Sequence, residues 1–230
     1  MDLYQKLNVP ELKGIQQEIL DYIDQHPEII KNINRVYFAD ILFKEFPILN
    51  SFLSPRLKTH IYQTSICFTP PYCDSDIHID GLRADKKWHH VVYSSSTLKL
   101  IKKHTEFFPE GTDFNKLLPS AQYVMVIPIK DYEGSITQWY ETDVPDIDET
   151  IVNNVKPSYP YNFHLSLLKK EAGVPIGNTC IDHVTFIKSN LYHAIVNQQS
   201  KTRIAVIVRF IEYHEYGSVN EMFDLTGITQ

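Results

Sequence analysis

The sequence predicts a mainly β domain of the sandwich or jelly-roll type, with a helical layer at its N-terminus packed on the sheet. Three observations predict it. Short runs rich in Val, Ile, Tyr and Phe recur from about residue 58 onward, Pro, Gly, Asp and Asn punctuate them, and helical periodicity is concentrated in the first fifty residues. At 230 residues, with 43% hydrophobic and 22% charged residues, the composition is that of one globular domain with enough apolar surface for a core.

The helical layer comes first. Asn8, Pro10 and Glu11 are start signals, Leu12, Ile15, Ile19 and Ile23 recur at helical spacing, and His26-Pro27 closes the segment. A second helix is predicted over 34–46, with Phe38, Ile41, Leu42 and Phe46 on one face and Pro47 as its stop. The jelly-roll core is then expected over 58–214, with strands at 58–68, 77–80, 89–94, 122–129, 135–140, 184–187, 192–196 and 203–213. Segments 91–103 and 163–171 are less clear: Leu165, Leu168 and Glu171 could continue a helix, while Val91-Val92-Tyr93 favours strand. Between the strands, 141–160 carries Glu141, Asp143, Asp146, Asp148 and Glu149 with three prolines, which marks a surface insertion, either a lid or a solvated acidic loop. No internal repeat is present.

Composition also excludes. No apolar run approaches the roughly 20 residues needed to cross a bilayer, and the first six residues lack a signal pattern, so a cytoplasmic location without a membrane partner is expected. Cys67, Cys73 and Cys180 form no Cys-x-x-Cys pair, which predicts reduced thiols rather than disulfides or a zinc knuckle. A net charge of −6 offers no footprint for a phosphate backbone and disfavours nucleic acid as a partner, although a local basic groove is compatible with it.

The chemistry begins at Asp76-Ile77-His78-Ile79-Asp80-Gly81. On a strand, His78 and Asp80 project from the same face about 7 Å apart, so both can converge on one ion. An imidazole nitrogen with a carboxylate oxygen suits non-haem Fe(II), where two histidines and one carboxylate fill one face of the octahedron and leave the other open. A His-x-Asp triplet is common by chance and needs a third ligand. Candidates lie in the segment from Asp182 to Asn197 and the strand beginning at Thr202-Arg203.

The ordered set His78-x-Asp80, the strand pair 124–129 and 134–137, then His193, and Arg203 ten residues later resembles the Fe(II)- and 2-oxoglutarate-dependent dioxygenases. The resemblance spans about 130 residues. It implies a double-stranded β-helix, iron held by His78, Asp80 and His193 as ligands and catalytic residues, and Arg203 on the far carboxylate of 2-oxoglutarate. The chemistry independently needs a group like Arg203. The cosubstrate chelates metal through its keto and C1 carboxylate oxygens, so its C5 carboxylate points into the protein, where a guanidinium offers a matching planar fork.

Along the last strand Arg203, Ala205, Ile207 and Arg209 share one face, and Ile204, Val206, Val208 and Phe210 the other. A buried arginine must be paired, either with a bound dicarboxylate or with an internal acid. Some nucleic-acid-demethylating members of the resembled family use two strand arginines six apart for the two ends of the cosubstrate, which makes Arg209 a further cofactor-binding candidate. Their distal histidine lies further upstream than His193. A hydroxyl often assists at the C5 carboxylate, and Tyr62 and Tyr123 are the candidates among 14 tyrosines.

Ten histidines permit other triads. His89 and His90 would face opposite ways on a strand. His183 could replace His193, but no arginine follows it at family spacing. For His26, His60, His104, His164 and His214 a solvated or core-bonded histidine is the default. The pattern departs from many relatives at Ala205, where a small polar residue is usual, and before the distal histidine, where the available glycine is Gly177.

The resemblance implies a hydroxylase: 2-oxoglutarate and dioxygen give succinate and carbon dioxide as a C-H bond is oxidised. Retention of Asp80 disfavours halogenation. A small molecule, an amino-acid or peptide substrate, or a modified base would each fit. A jelly-roll module without turnover, and a cupin-like protein using metal without 2-oxoglutarate, are the competing readings.

Overall fold

The computed structural model describes residues 3–79, 118–141, 166–168, 173–212 and 218–228. Two antiparallel sheets are laid face to face. The first has the order β1 (Tyr4–Leu7), β10 (Val184–Lys188), β6 (Leu118–Lys130), β12 (Arg203–Glu212), β3 (His60–Thr69), β2 (Tyr37–Ile41). The second runs β8 (Ser166–Leu168), β5 (Ile77–Ile79), β11 (His193–Asn197), β7 (Ser135–Glu141), β9 (Val174–Cys180), with β4 (Cys73–Asp74) also on β11. Among the described residues the chain crosses between sheets at β3 to β4, β6 to β7, β9 to β10, β10 to β11 and β11 to β12. That alternation makes the fold a jelly roll, or double-stranded β-helix.

The first sheet is backed by helices. Helix α1 (Leu12–Gln25) buries Ile15, Ile19 and Ile23, the stripe that its sequence period predicts. Helix α2 (Pro47–Leu53) buries Leu49, Phe52 and Leu53. The Glu18 carboxylate of α1 accepts the Ile48 and Leu49 amide protons, both at 3.0 Å, so one helix caps the other. Beneath them, Ile204, Val206, Val208 and Phe210 of β12 join Met125, Ile127, Phe186 and Phe223 in the main core. Among the described residues no helix is long and apolar enough to cross a membrane.

Two expectations are corrected. The predicted helix over 34–46 is instead strand β2 followed by a 3₁₀ turn at Phe43–Glu45, because Tyr37, Ala39 and Ile41 pair with Phe68, Ile66 and Thr64 of β3. Pro47 does not stop a helix there but starts α2, at a position where its missing amide proton costs nothing. Strands β1, β4, β8 and β9 were not predicted; β8 falls within 163–171, which read either way. The strand predicted at 89–94, the ambiguous 91–103 and the acidic stretch 142–160 lie outside the described residues.

Candidate active site

Between the sheets runs a narrow cleft of about 40 Å³. His78, Ser75 and His193 enter it from the second sheet, and Phe38, Arg203 and Arg209 from the first. The structure thus brings together His78, His193, Arg203 and Arg209, all candidates from the sequence. Asp80 lies just past β5 and outside the described residues. Among the described residues, no cluster of three His, Cys, Asp or Glu side chains stands ready for a metal.

His78 and His193 face each other across β5 and β11, with ring centroids 4.5 Å apart. Ring nitrogen Nδ1 of His78 lies 2.7 Å from the Asp76 carbonyl, and that of His193 lies 2.9 Å from the Leu191 carbonyl. A carbonyl only accepts, so each Nδ1 donates. In the neutral rings Nε2 is then the basic nitrogen on both, the tautomer a metal-ligating histidine needs. These two donors fit a divalent ion of the Fe(II) type.

Their alignment depends on a bulge that the sequence did not announce. Asp74 pairs with Val196 and His78 with His193, so four residue steps on one strand oppose three on the other. The extra residue shifts the register by one, which decides what faces the cleft. Ser75 fills the gap. Its amide donates to the Ile195 carbonyl at 2.8 Å, and its hydroxyl accepts the Ile195 amide proton at 2.8 Å, in place of a backbone carbonyl.

Arg203 opens β12 at 2% exposure, opposite Thr69 of β3. Its Nη1 and the Thr69 hydroxyl are both buried without a partner among the described residues. Burial pulls the guanidinium pKa below its usual value, against the opposing influence of nearby Cys67 and Cys180. A buried cation with an unmet N-H, beside an unmet hydroxyl, is costly unless an anion binds there. Asn197 holds this end in place. Its Nδ2 donates to the carbonyls of Thr69 (3.0 Å), Pro70 (2.9 Å) and Lys201 (2.9 Å), tying the end of β3 to the turn that leads into Arg203.

Tyr123 does not take the assisting place. Tyr123 packs with the helix-backed core, on the opposite face of β6 from Val124 and Val126, which line the cleft. Strand parity decides this: one residue earlier or later and it would face inward. Tyr62 sits where the register shifts between Arg209 and Phe210, and its side chain lies outside the described residues. Thr69, unremarked in the sequence, has the neighbouring hydroxyl. Ser75 and Asn197 were likewise missed. An Asn just before the polar turn 198–201 was the available signal for the latter.

Two other histidines stand apart, His183 and His26. His183 is about half exposed, with Nδ1 2.9 Å from Asp182, away from the cleft. His26 pairs on the surface with Glu28 at 3.0 Å. The His60 side chain and His89, His90, His104, His164 and His214 lie outside the described residues. The cysteines Cys67, Cys73 and Cys180 are free.

No protein-family model matches the chain, and no curated protein matches it. Among solved structures it is similar to the non-haem alpha-ketoglutarate-dependent carbocyclase SnoK from nogalamycin biosynthesis, with 15% identity, a TM-score of 0.46, and coverage of 91% of this chain and 79% of that one. A Pseudomonas putida prolyl-4-hydroxylase aligns at 9% identity and a TM-score of 0.45, covering 90% of each chain. HygX from Streptomyces hygroscopicus, solved with nickel and 2-oxoglutarate bound, aligns at 10% identity and a TM-score of 0.41, covering 90% of this chain and 82% of that one.

Proposed function

We propose that this chain is an Fe(II)- and 2-oxoglutarate-dependent oxygenase, a hydroxylase, with His78, Asp80 and His193 holding the metal and Arg203 with Thr69 holding the far carboxylate of the cosubstrate. One observation carries the reading. Arg203, buried with its Nη1 unmet among the described residues, lines the same cleft as two imidazoles whose Nδ1 protons are committed to backbone carbonyls. A metal-free module has no use for a buried cation with an N-H unmet among the described residues, and a cupin-like metal protein without 2-oxoglutarate has no use for its fork.

Bound there, iron with 2-oxoglutarate and dioxygen would supply the oxidising chemistry, releasing succinate and carbon dioxide as a substrate C-H bond becomes C-OH. The protein's part is orientation and exclusion of water. Asp76 and Leu191 carbonyls fix the two imidazoles, Ser75 fixes their register, and Asn197 fixes Arg203 against Thr69. The apolar walls Val124, Val126, Ile187 and Ile207 keep the cleft dry, which strengthens the Arg203 to carboxylate pair. A small molecule, an amino acid or a peptide is the proposed substrate class.

The test is spectroscopic. Fe(II) and 2-oxoglutarate added without oxygen should give a weak visible charge-transfer band that His78→Ala and Asp80→Ala abolish while the chain stays folded. Folded wild-type protein without the band would overturn the assignment.

A further inference from the structure

We infer that Trp139 is a positioning residue for the metal: its indole N-H holds the loop 189–192 against β7, and through that loop it aims the imidazole of His193. This rests on the iron reading above and adds to it a residue that does not itself line the cleft.

Trp139 stands on β7 directly opposite His193 of β11, and the ladder continues with the Tyr140 amide donating to the Tyr192 carbonyl at 2.8 Å. The Trp139 side chain leaves that sheet and reaches the other one. Its Nε1 donates at 2.9 Å to the carbonyl of Lys188, the last residue of β10. Residues 189–192 carry the chain from β10 in the first sheet to β11 in the second, so Trp139 grips both ends of this crossing, one through its backbone strand and one through its ring. Leu191 lies inside the crossing, and its carbonyl is the acceptor that fixes Nδ1 of His193 at 2.9 Å.

The loop is not fastened by its own polar side chains. Ser189 and Asn190 are buried, yet the Ser189 hydroxyl and the Asn190 side-chain oxygen have no hydrogen-bond partner among the described residues. Lys188 is fastened on both sides instead: its amide donates to the Leu3 carbonyl at 2.9 Å, and its carbonyl accepts from Trp139. Without the indole N-H that carbonyl loses its donor, and the backbone turns to find another. Leu191 is three residues on, so such a turn shifts the carbonyl that orients His193.

Trp139 is itself held in place. It is the largest fully buried side chain among the described residues and packs with Val124, Val126, Ile187 and Ile207, the apolar walls of the cleft. Tyr4 stacks on it, with ring centroids 6.0 Å apart and 17° between the planes. Its backbone is set where β7 and β9 shift register, and Gln138 Nε2 donates to the carbonyls of Trp139 (3.0 Å) and Gly177 (2.7 Å) at that shift. Register shifts of this kind re-aim a side chain beside a site. An indole joins a large apolar body to an N-H donor, which is what a buried link between two sheets requires.

The experiment titrates the full chain with Co(II), a spectroscopic stand-in for Fe(II), and reads the Kd together with the d-d bands, which report ligand geometry. Wild-type protein should bind the ion and His193→Ala should not. Wild-type protein that takes up no Co(II), or a His193→Ala variant that binds it equally, overturns the iron reading and the inference with it, and is scored first. Groups that orient a metal's histidines typically contribute about 10–100-fold to affinity. Trp139 acts one step further out, so Trp139→Phe should raise the Kd about tenfold and shift the bands. Replacement of Trp139 by benzothienylalanine, which keeps the ring size and exchanges the N-H for sulfur, should do the same, and it answers the question even where Trp139→Phe does not fold. Ile181→Ala opens a cavity in the same apolar layer but away from the cleft lining, and should keep the Kd within about twofold and the bands unchanged. Wild-type Kd and bands in the benzothienylalanine protein overturn the inference while leaving the metal site standing. So does a loss in Ile181→Ala as large as that in the tryptophan variants, which would make Trp139 ordinary packing.

Discussion

The two faces of β12 are built for opposite purposes. Ile204, Val206, Val208 and Phe210 turn toward the helices and pack in an apolar layer with Phe186, Phe223 and Met125. Arg203, Ala205, Ile207 and Arg209 turn toward the second sheet, where a cation is buried at 2% exposure with an unmet N-H. One strand therefore contributes stability from one face and spends part of it on the other. The difference teaches where function sits: the helix-backed face could be repacked with any apolar set of the same volume, whereas the cleft face holds groups that no folding argument explains.

The largest effect should come from the packed face. Phe210 is fully buried between Phe186, at 5.8 Å between ring centroids, and the rest of the core. Phe210→Ala should cost about 3–5 kcal/mol of unfolding free energy, read from urea denaturation of the apo protein. A loss below 1 kcal/mol would mean that this layer is not the main core.

Arg203→Met sharpens the contrast from the other side. It replaces a buried charge, unmatched among the described residues, by an apolar chain of similar length, so the apo protein should be unchanged or more stable by about 1 kcal/mol. Ligand stabilisation should separate the two proteins instead. At a 2-oxoglutarate concentration of about 100 times its Kd, the Fe(II)-loaded wild type should gain about 2.7 kcal/mol and the variant almost none. A large loss of apo stability in the variant would show that Arg203 is paired inside the protein and is no anchor.

Legibility followed the same division. Helix α1 could be read because Leu12, Ile15, Ile19 and Ile23 repeat at a period only a helix satisfies, and the cleft face of β12 because arginines interrupt an apolar alternation. Strand β2 could not. Phe38, Ile41, Leu42 and Phe46 happen to fall at helical spacing, yet pairing with β3 along one edge of the strand overrides the local period. Tyr123 was misassigned because β6 is apolar on both faces, so its pattern carries no parity signal. Thr69 and Ser75 were invisible for another reason. Each matters through a strand far away in sequence, and cross-strand register is not written in local spacing. Residue types whose chemistry is rare in a core, His and Arg, announced themselves; the small polar residues that align them did not.

The rim provides the smallest term and sharpens the contrast by its response to pH. The apolar face of β12 carries no titratable group, so its contribution should be flat with pH. Asp182, in the turn after β9, contacts Lys6 of β1 at 2.5 Å and His183 at 2.9 Å. Burial works to raise its pKa, but hydrogen bonds from His183 and Lys6 outweigh it and hold the carboxyl at about 2, below the ordinary 3.8. A depressed carboxyl stabilises the fold above its unfolded pKa and loses that contribution as pH falls through the folded one. The window is therefore about pH 4 down to about 2. Because the Asp182 side chain is 41% exposed, solvent screening keeps the contribution to about 1 kcal/mol or less. Asp182→Asn should remove that part of the acid-induced loss while leaving stability at pH 7 lower by the same small amount, and 0.5 M salt should shrink the difference. A variant with an unchanged acid profile at low salt would show that β1 is held by its backbone pairing to β10 alone.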